Sequence, residues 1–178
     1  MPYPDLNVAV LARDHYQELE LWFPLLRYRE VGAAASLIGR AAVEHLGGVG
    51  YPAIPDQIVG ESAVPAVLII PGRAPAPEGA DATGEDLTSA ERDLLLAVRD
   101  AGGVLAAIGD GVAVLGAAGL LEGCTVASND ATAAQLAGFG ATRATGTVHT
   151  DSTIVTAAGA DDLPAFVTAI DAAALATT

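Results

Sequence analysis

A chain of 178 residues with 52% apolar content carries the material for one hydrophobic core and a single domain spanning residues 1–178. Its net charge of −14, with eight arginines and no lysine, sets up a field that repels nucleic acid and anionic membrane, so neither is expected as a partner. The start, MPYPDLNVAV, has no basic segment, no long apolar run and no small-residue cleavage site, which makes a cytoplasmic protein the expectation.

Short apolar or β-branched runs at about 6–12, 33–38, 66–70 and 103–108 alternate with helical patterns at about 17–31, 88–101 and 111–121. This alternation predicts βαβ units around a mainly parallel sheet, hence an α/β protein. The spacing in the first helix predicts that Leu19, Trp22, Phe23, Leu26 and a later Val31 face the core, that Arg27, Arg29 and Glu30 take the other side, and that Gly32 ends the element. The segment RAPAPEGADATGED, 73–86, is too rich in Pro, Gly and acid for regular structure and too long for a plain connection, which marks a candidate lid or partner-contact loop. Thr88-Ser89-Ala90-Glu91 then forms a capping box that fixes the next helix start. From Gly102 to Gly123 the chain is apolar enough to suggest a membrane span, but Asp110 inside it opposes insertion by roughly 2.5–3.5 kcal/mol, and a buried strand and helix account for the stretch better. Further strands are predicted at CTVAS, GTVHT and TIVTAAG, with helices near 130–138 and 161–175, the second begun by Asp161-Asp162 where the helix dipole favours acids.

Cys124 is the only cysteine, so no internal disulfide and no cysteine-based metal site can form. His15, His45 and His149 are scattered without ligand spacing, and neither a metal nor a cofactor is expected. The stretch AAIGDGVAVLG, 106–116, reads as a buried strand, a tight turn and a helix. Such an elbow usually seats a nucleophile; here Gly109 stands at the apex, followed by Asp110.

In order, ELELWFPLLRYREVGA, AVLIIPGRAPAPEG and VLAAIGDGVAVLGAAGLLEGCTV resemble the first helix, the Pro-Gly-Gly loop and the Ala-Ile-Cys-His-Gly elbow of the ThiJ/PfpI superfamily, relatives of the class I glutamine amidotransferase fold. The resemblance covers about residues 5–175. It implies a flavodoxin-like three-layer αβα sandwich and a homodimer. It also implies that Glu20, four residues before Pro24, sits under the elbow. Members of this family use the elbow cysteine as nucleophile, and Gly109 replaces it here, so thiol chemistry is excluded at that position; Arg73 stands where the second loop glycine would be.

Periodicity alone makes Glu20 a surface acid, whereas the resemblance places it in a confined pocket where desolvation raises a carboxyl pKa. Asp110 either caps the elbow helix or turns into the pocket to form a carboxylate pair with Glu20, one acid and one base. Gly109 adopts the apex conformation freely and opens space, and the amides near Gly72 and at the elbow helix could hold a carbonyl or oxyanion there. His15 and Tyr16 are candidate ligand contacts at the strand-to-helix junction; Arg73 either neutralises an anionic substrate or pairs with loop acids; Trp22 is a core residue and His149 a structural one. The expected function is a cofactor-free enzyme acting on a small carbonyl-bearing or otherwise electrophilic metabolite, by hydration, dehydration, isomerisation or cyclisation. The competing expectation is a non-catalytic relative that binds a small molecule or serves as a scaffold.

Overall fold

The computed structural model describes residue 3 and residues 5–74 and 87–177, so the candidate lid segment lies outside the described residues from position 75 onward. In chain order the elements are β1 (Asn7–Leu11), α1 (Glu18–Glu30), β2 (Ala34–Gly39), β3 (His45–Leu46), β4 (Pro52–Ala53), β5 (Gln57–Ile58), β6 (Val67–Ile70), α2 (Ser89–Asp100), β7 (Val104–Ile108), α3 (Gly111–Ala117), β8 (Thr125–Val126), α4 (Asp130–Leu136), β9 (Thr142–Arg143), β10 (Val148–Asp151), β11 (Ile154–Ala157) and α5 (Leu163–Ala176).

Val8 and Val10 of β1 point to one face and Ala9 and Leu11 to the other, and all four are buried. Burial on both faces is what a central strand of a parallel sheet requires. The sheet order is β10-β11-β7-β6-β1-β2-β5, with every neighbouring pair parallel except the edge hairpin β10-β11. Leu21, Leu25 and Tyr28 of α1 and Phe166 and Ile170 of α5 cover one face; Leu94, Leu95 and Val98 of α2 and Val112 and Leu115 of α3 cover the other. The result is the expected flavodoxin-like three-layer α/β sandwich. Among the described residues no helix is long and apolar enough to cross a membrane.

The face of α1 differs from the expectation. Leu21, Pro24, Leu25 and Tyr28 meet the sheet, while Leu19, Phe23 and Leu26 are 59%, 38% and 55% exposed. The helix is apolar on two stripes, and periodicity cannot tell which one the sheet takes. The elbow helix is also shorter than 111–121: Gly119, at φ +77°, donates to the Gly116 carbonyl while Leu120 donates to that of Leu115, a left-handed termination that stops α3 at Ala117. CTVAS yields only the two-residue β8, which pairs with β9 outside the main sheet. Asp162 does not cap α5 through its side chain; it accepts the Thr147 hydroxyl at 2.6 Å instead.

The Thr88 capping box forms as expected, with Thr88 Oγ1 accepting the Glu91 amide at 3.2 Å and the Glu91 carboxylate accepting the Thr88 amide at 2.8 Å. Gly111 lets α3 settle against β6: a Cβ there would run into the Ile70 carbonyl and lie 3.0 Å from that of Pro71. Because both obstacles are backbone, Gly111→Ala is expected to destabilise the fold by about 1–3 kcal/mol, read as a lower urea midpoint at unchanged m-value.

Candidate functional site

Glu20 is delivered to the sheet's carboxyl edge by the way α1 begins. The Gln17 amide donates to the Gly72 carbonyl at 2.9 Å, and the Gln17 side chain caps the helix by accepting the Glu20 amide at 2.8 Å. This ties the first turn to the loop after β6 and turns the Glu20 carboxylate inward. It is 5% exposed, and Oε2 accepts the Gly72 amide at 2.8 Å. Burial pushes its pKa up to about 7; the Gly72 hydrogen bond opposes the rise and the Asp110 charge adds to it.

The elbow sits directly above this group. Gly109 has φ +61°, its amide donates to the Ala157 carbonyl at 3.0 Å, and a Cβ on it would lie 3.1 and 3.2 Å from the two Glu20 oxygens. The side-chain space of the apex is therefore bordered by a carboxylate rather than by hydrocarbon. Asp110 occupies the N-cap position of α3 but makes no side-chain capping bond. Its Oδ1 accepts the Arg73 backbone amide through a short hydrogen bond, and Oδ2 lies 3.7 Å from Arg73 Nε. A Cβ on Gly72 would fall 2.7 Å from both Glu20 Oε2 and Asp110 Oδ1, so the two carboxylates converge on one bare stretch of backbone. Of the two expectations for Asp110, a side-chain cap of α3 is not formed; its Oδ1 and Glu20 Oε2 both lie beside Gly72.

Of the amides expected to form an oxyanion site, those of the loop after β6 are already engaged. The Gly72 amide points to Glu20 and the Arg73 amide to Asp110, so two donors in this loop already serve the protein's own acids. Tyr16 is 1% exposed, its hydroxyl donates to the Tyr51 carbonyl at 2.5 Å and accepts from Trp22 Nε1 at 3.4 Å, which makes it a tie between α1 and the β3–β4 hairpin rather than an open contact. Trp22 is half-buried and stands edge-on to the Tyr51 ring at 5.8 Å. His15 is half-buried at φ +59°, pinned by backbone bonds to Leu46 and Ala74 at the rim of the site. A non-glycine residue held in that conformation marks local strain.

Two expected bystanders are placed away from the carboxylates. His149 lies in β10 opposite Thr156, whose hydroxyl donates to the His149 carbonyl at 3.3 Å. Burial and Asp151 push the Cys124 thiol up. Gln17 and Arg13 were not singled out from sequence. A polar residue at a helix start was the available signal for Gln17, and a cation at the end of an apolar strand for Arg13. Arg13, Arg73 and Asp110 share the lining of a cavity of about 250 Å³ beside the elbow. Among the described residues, no group of three or more His, Cys, Asp and Glu side chains could hold a metal ion.

A parallel sheet with helices on both faces, and a carboxylate under a strand-to-helix elbow at its carboxyl edge, defines the class of flavodoxin-like proteins built around a nucleophile elbow. The DJ-1/PfpI family profile matches residues 6–173, and the chain belongs to that family. No curated protein sequence matches it. Among solved structures it is similar to a two-domain protein with DJ-1/ThiJ/PfpI-like and ferritin-like domains from Anabaena variabilis, at 21% identity and TM-score 0.83 over 94% of this chain and 48% of that one. The chain thus spans about half the length of that protein. It is similar to a ThiJ/PfpI domain protein from Brachyspira murdochii at 19% identity and TM-score 0.81, over 95% of each chain. A mutant of a DJ-1 superfamily protein from Salmonella typhimurium aligns at 23% identity and TM-score 0.79, over 95% of this chain and 90% of that one.

The raised Glu20 pKa has a sign that can be measured. Between the ordinary value of 4.5 and about 7 the folded chain keeps a proton on Glu20 that the unfolded chain releases, so this group lowers stability as pH rises through that window and leaves it level above. A ¹³C-carboxyl titration is expected to show one glutamate with a midpoint near 7, and Asp110→Asn is expected to move that midpoint downward because the neighbouring charge is gone.

Proposed function

We propose that this protein is a cytoplasmic, cofactor-free enzyme that moves protons on a small carbonyl-bearing or otherwise electrophilic metabolite, in a hydration, dehydration, isomerisation or cyclisation. One observation carries the reading: Glu20, buried to 5% exposure with a pKa near 7, lies against the unfilled side-chain position of Gly109 and shares Gly72 with Asp110. A carboxyl group near half-protonation at neutral pH can give or take a proton without a large penalty either way. Asp110 is the more exposed of the two, with 35% of its side chain open, so two carboxyls in unlike surroundings can divide the acid and base roles. Reactions of these types need no covalent intermediate, which suits an elbow without a nucleophile.

A second reading, a small-molecule binder without turnover, is favoured by the Gly72 and Arg73 amides. In an acyl-transfer elbow such donors would hold an oxyanion, and here they hold Glu20 and Asp110. The two readings separate on Glu20→Gln. The acid/base enzyme is expected to lose about 10²–10⁴-fold in kcat on its substrate with binding retained. Turnover that survives the substitution would overturn the reading.

The homodimer belongs to the same proposal. Of the large apolar side chains left exposed, Leu19, Phe23 and Leu26 of α1 and Leu46, Val49, Tyr51 and Ile54 of the β3–β4 region fall on neighbouring surfaces, joined by the Trp22–Tyr51 contact and by the Val49 amide donating to Glu18 at 2.7 Å. Such clustering marks a protein interface, and a second copy meets it through the same stripe in an isologous pair. Light scattering is expected to give twice the chain mass of 17.8 kDa, falling to one chain mass in Phe23→Glu/Leu26→Glu. A wild-type monomer at micromolar concentration overturns the assignment.

A further inference from the structure

Three hydrogen bonds close a circuit between the start of α1 and the loop after β6. The Gln17 amide donates to the Gly72 carbonyl at 2.9 Å, the Gly72 amide donates to Glu20 Oε2 at 2.8 Å, and the Glu20 amide donates to Gln17 Oε1 at 2.8 Å. Each of the three residues gives one bond and receives one, so both backbone groups of Gly72 serve this turn. The Leu21 amide then donates to the Gln17 carbonyl at 3.1 Å and starts the helix. Swinging the Glu20 carboxylate away from Gly72 breaks a bond in a ring whose other two members fix the same turn.

Glutamine is an unexpected residue at this position. Ser, Thr, Asp and Asn lead at helix starts because their short side chains reach the free amides at little rotamer cost, and the other side-chain caps among the described helices are Thr88 and Asn129. A carboxylate would also gain from the helix dipole, and the first turn of α1 already carries Glu18 and Glu20. The surroundings of Glu20 weigh against a further acid there. Burial drives the Glu20 pKa up to about 7, and the Asp110 charge adds to the rise. The other charged groups nearby are turned elsewhere: Glu18 accepts the Val49 amide at 2.7 Å, and Arg73 Nε faces Asp110 Oδ2 at 3.7 Å. A carboxylate at position 17 would add a third negative charge within one helical turn of Glu20. A neutral amide caps the same backbone group without it.

We propose that Gln17 is a positioning residue for Glu20: its neutral side chain locks the first turn of α1 to Gly72 while keeping a third carboxylate away from Glu20 and Asp110. Position 17 thereby fixes both where the Glu20 carboxyl sits and the pH at which it gives up its proton. Its effect on turnover rests on the acid/base reading above; its effect on Glu20 itself does not.

A ¹³C-carboxyl titration of Glu20, identified by the signal lost in Glu20→Gln, tests this in Gln17→Asn, Gln17→Glu and Gln17→Ala. A urea midpoint for each is taken at about pH 5.5, where Glu20 keeps its proton. Gln17→Asn keeps a neutral cap and is expected to leave the Glu20 midpoint in place. Gln17→Glu keeps the acceptor, and its new carboxylate is ionised across the window in which Glu20 titrates. It is expected to raise the Glu20 midpoint by about 0.5 in pH or more without lowering the urea midpoint. Gln17→Ala removes the acceptor; the urea midpoint is expected to fall, and the Glu20 midpoint to move toward 4.5 because burial is the largest cause of its rise. A cap with a purely structural role would lower the urea midpoint in Gln17→Ala and leave the Glu20 midpoint where it is in all three. An unmoved Glu20 midpoint in Gln17→Glu, or a shift in Gln17→Asn as large as that in Gln17→Ala, overturns the proposal. Turnover that survives Glu20→Gln while these shifts hold overturns the acid/base reading alone, and Glu20-dependent turnover with a midpoint indifferent to position 17 overturns this one alone.

Discussion

A carboxylate removed from water and given one backbone donor is the constraint around which the carboxyl edge of this sheet is arranged. Glu20 keeps its charge-bearing oxygens beside the Gly72 amide, and every neighbour has to make room for them. Gly72 and Gly109 lack side chains at the two points where a Cβ would press on those oxygens. Gln17 holds the helix turn that carries Glu20 to the same loop that supplies its donor, so position and partner come from one piece of local structure. Burying a carboxyl with a single hydrogen bond is unfavourable for the ionised form, and the molecule answers by shifting its protonation rather than by adding a cation.

The fold was legible because its signals are local and redundant. Short β-branched runs between helical periods specify a parallel sheet, and Thr88-Glu91 fixes a helix start through bonds within one turn. Legibility failed where two answers satisfy the same pattern. Both stripes of α1 are apolar, and the one that faces the sheet contains Tyr28 and Pro24, residues that a simple leucine count does not favour. The elbow helix looked longer because its alanines and leucines continue past Gly119, where the chain changes hand.

The candidate site was legible only in part, for a different reason. The position of Glu20 came with the resemblance to a family rather than from helical spacing, which marks it as a surface acid. Whether Asp110 caps α3 or turns away depends on competition between amides, and the Arg73 amide wins by lying on a neighbouring loop that sequence spacing does not bring close. That contact engages the Arg73 amide, and a second one, to Glu20, engages the Gly72 amide of the same loop. Tyr16 shows the limit in reverse: its place at a strand-to-helix junction suggested ligand contact, yet its hydroxyl is committed to a hairpin 35 residues away.

The crowding at Gly109 also bears on how such a site could change over time. A cysteine restored at the apex would meet the Glu20 oxygens at its first side-chain carbon and would have to hold a left-handed backbone that glycine adopts without strain. A side chain at the apex is therefore not a change confined to one residue: the Glu20 carboxylate below it would have to shift as well.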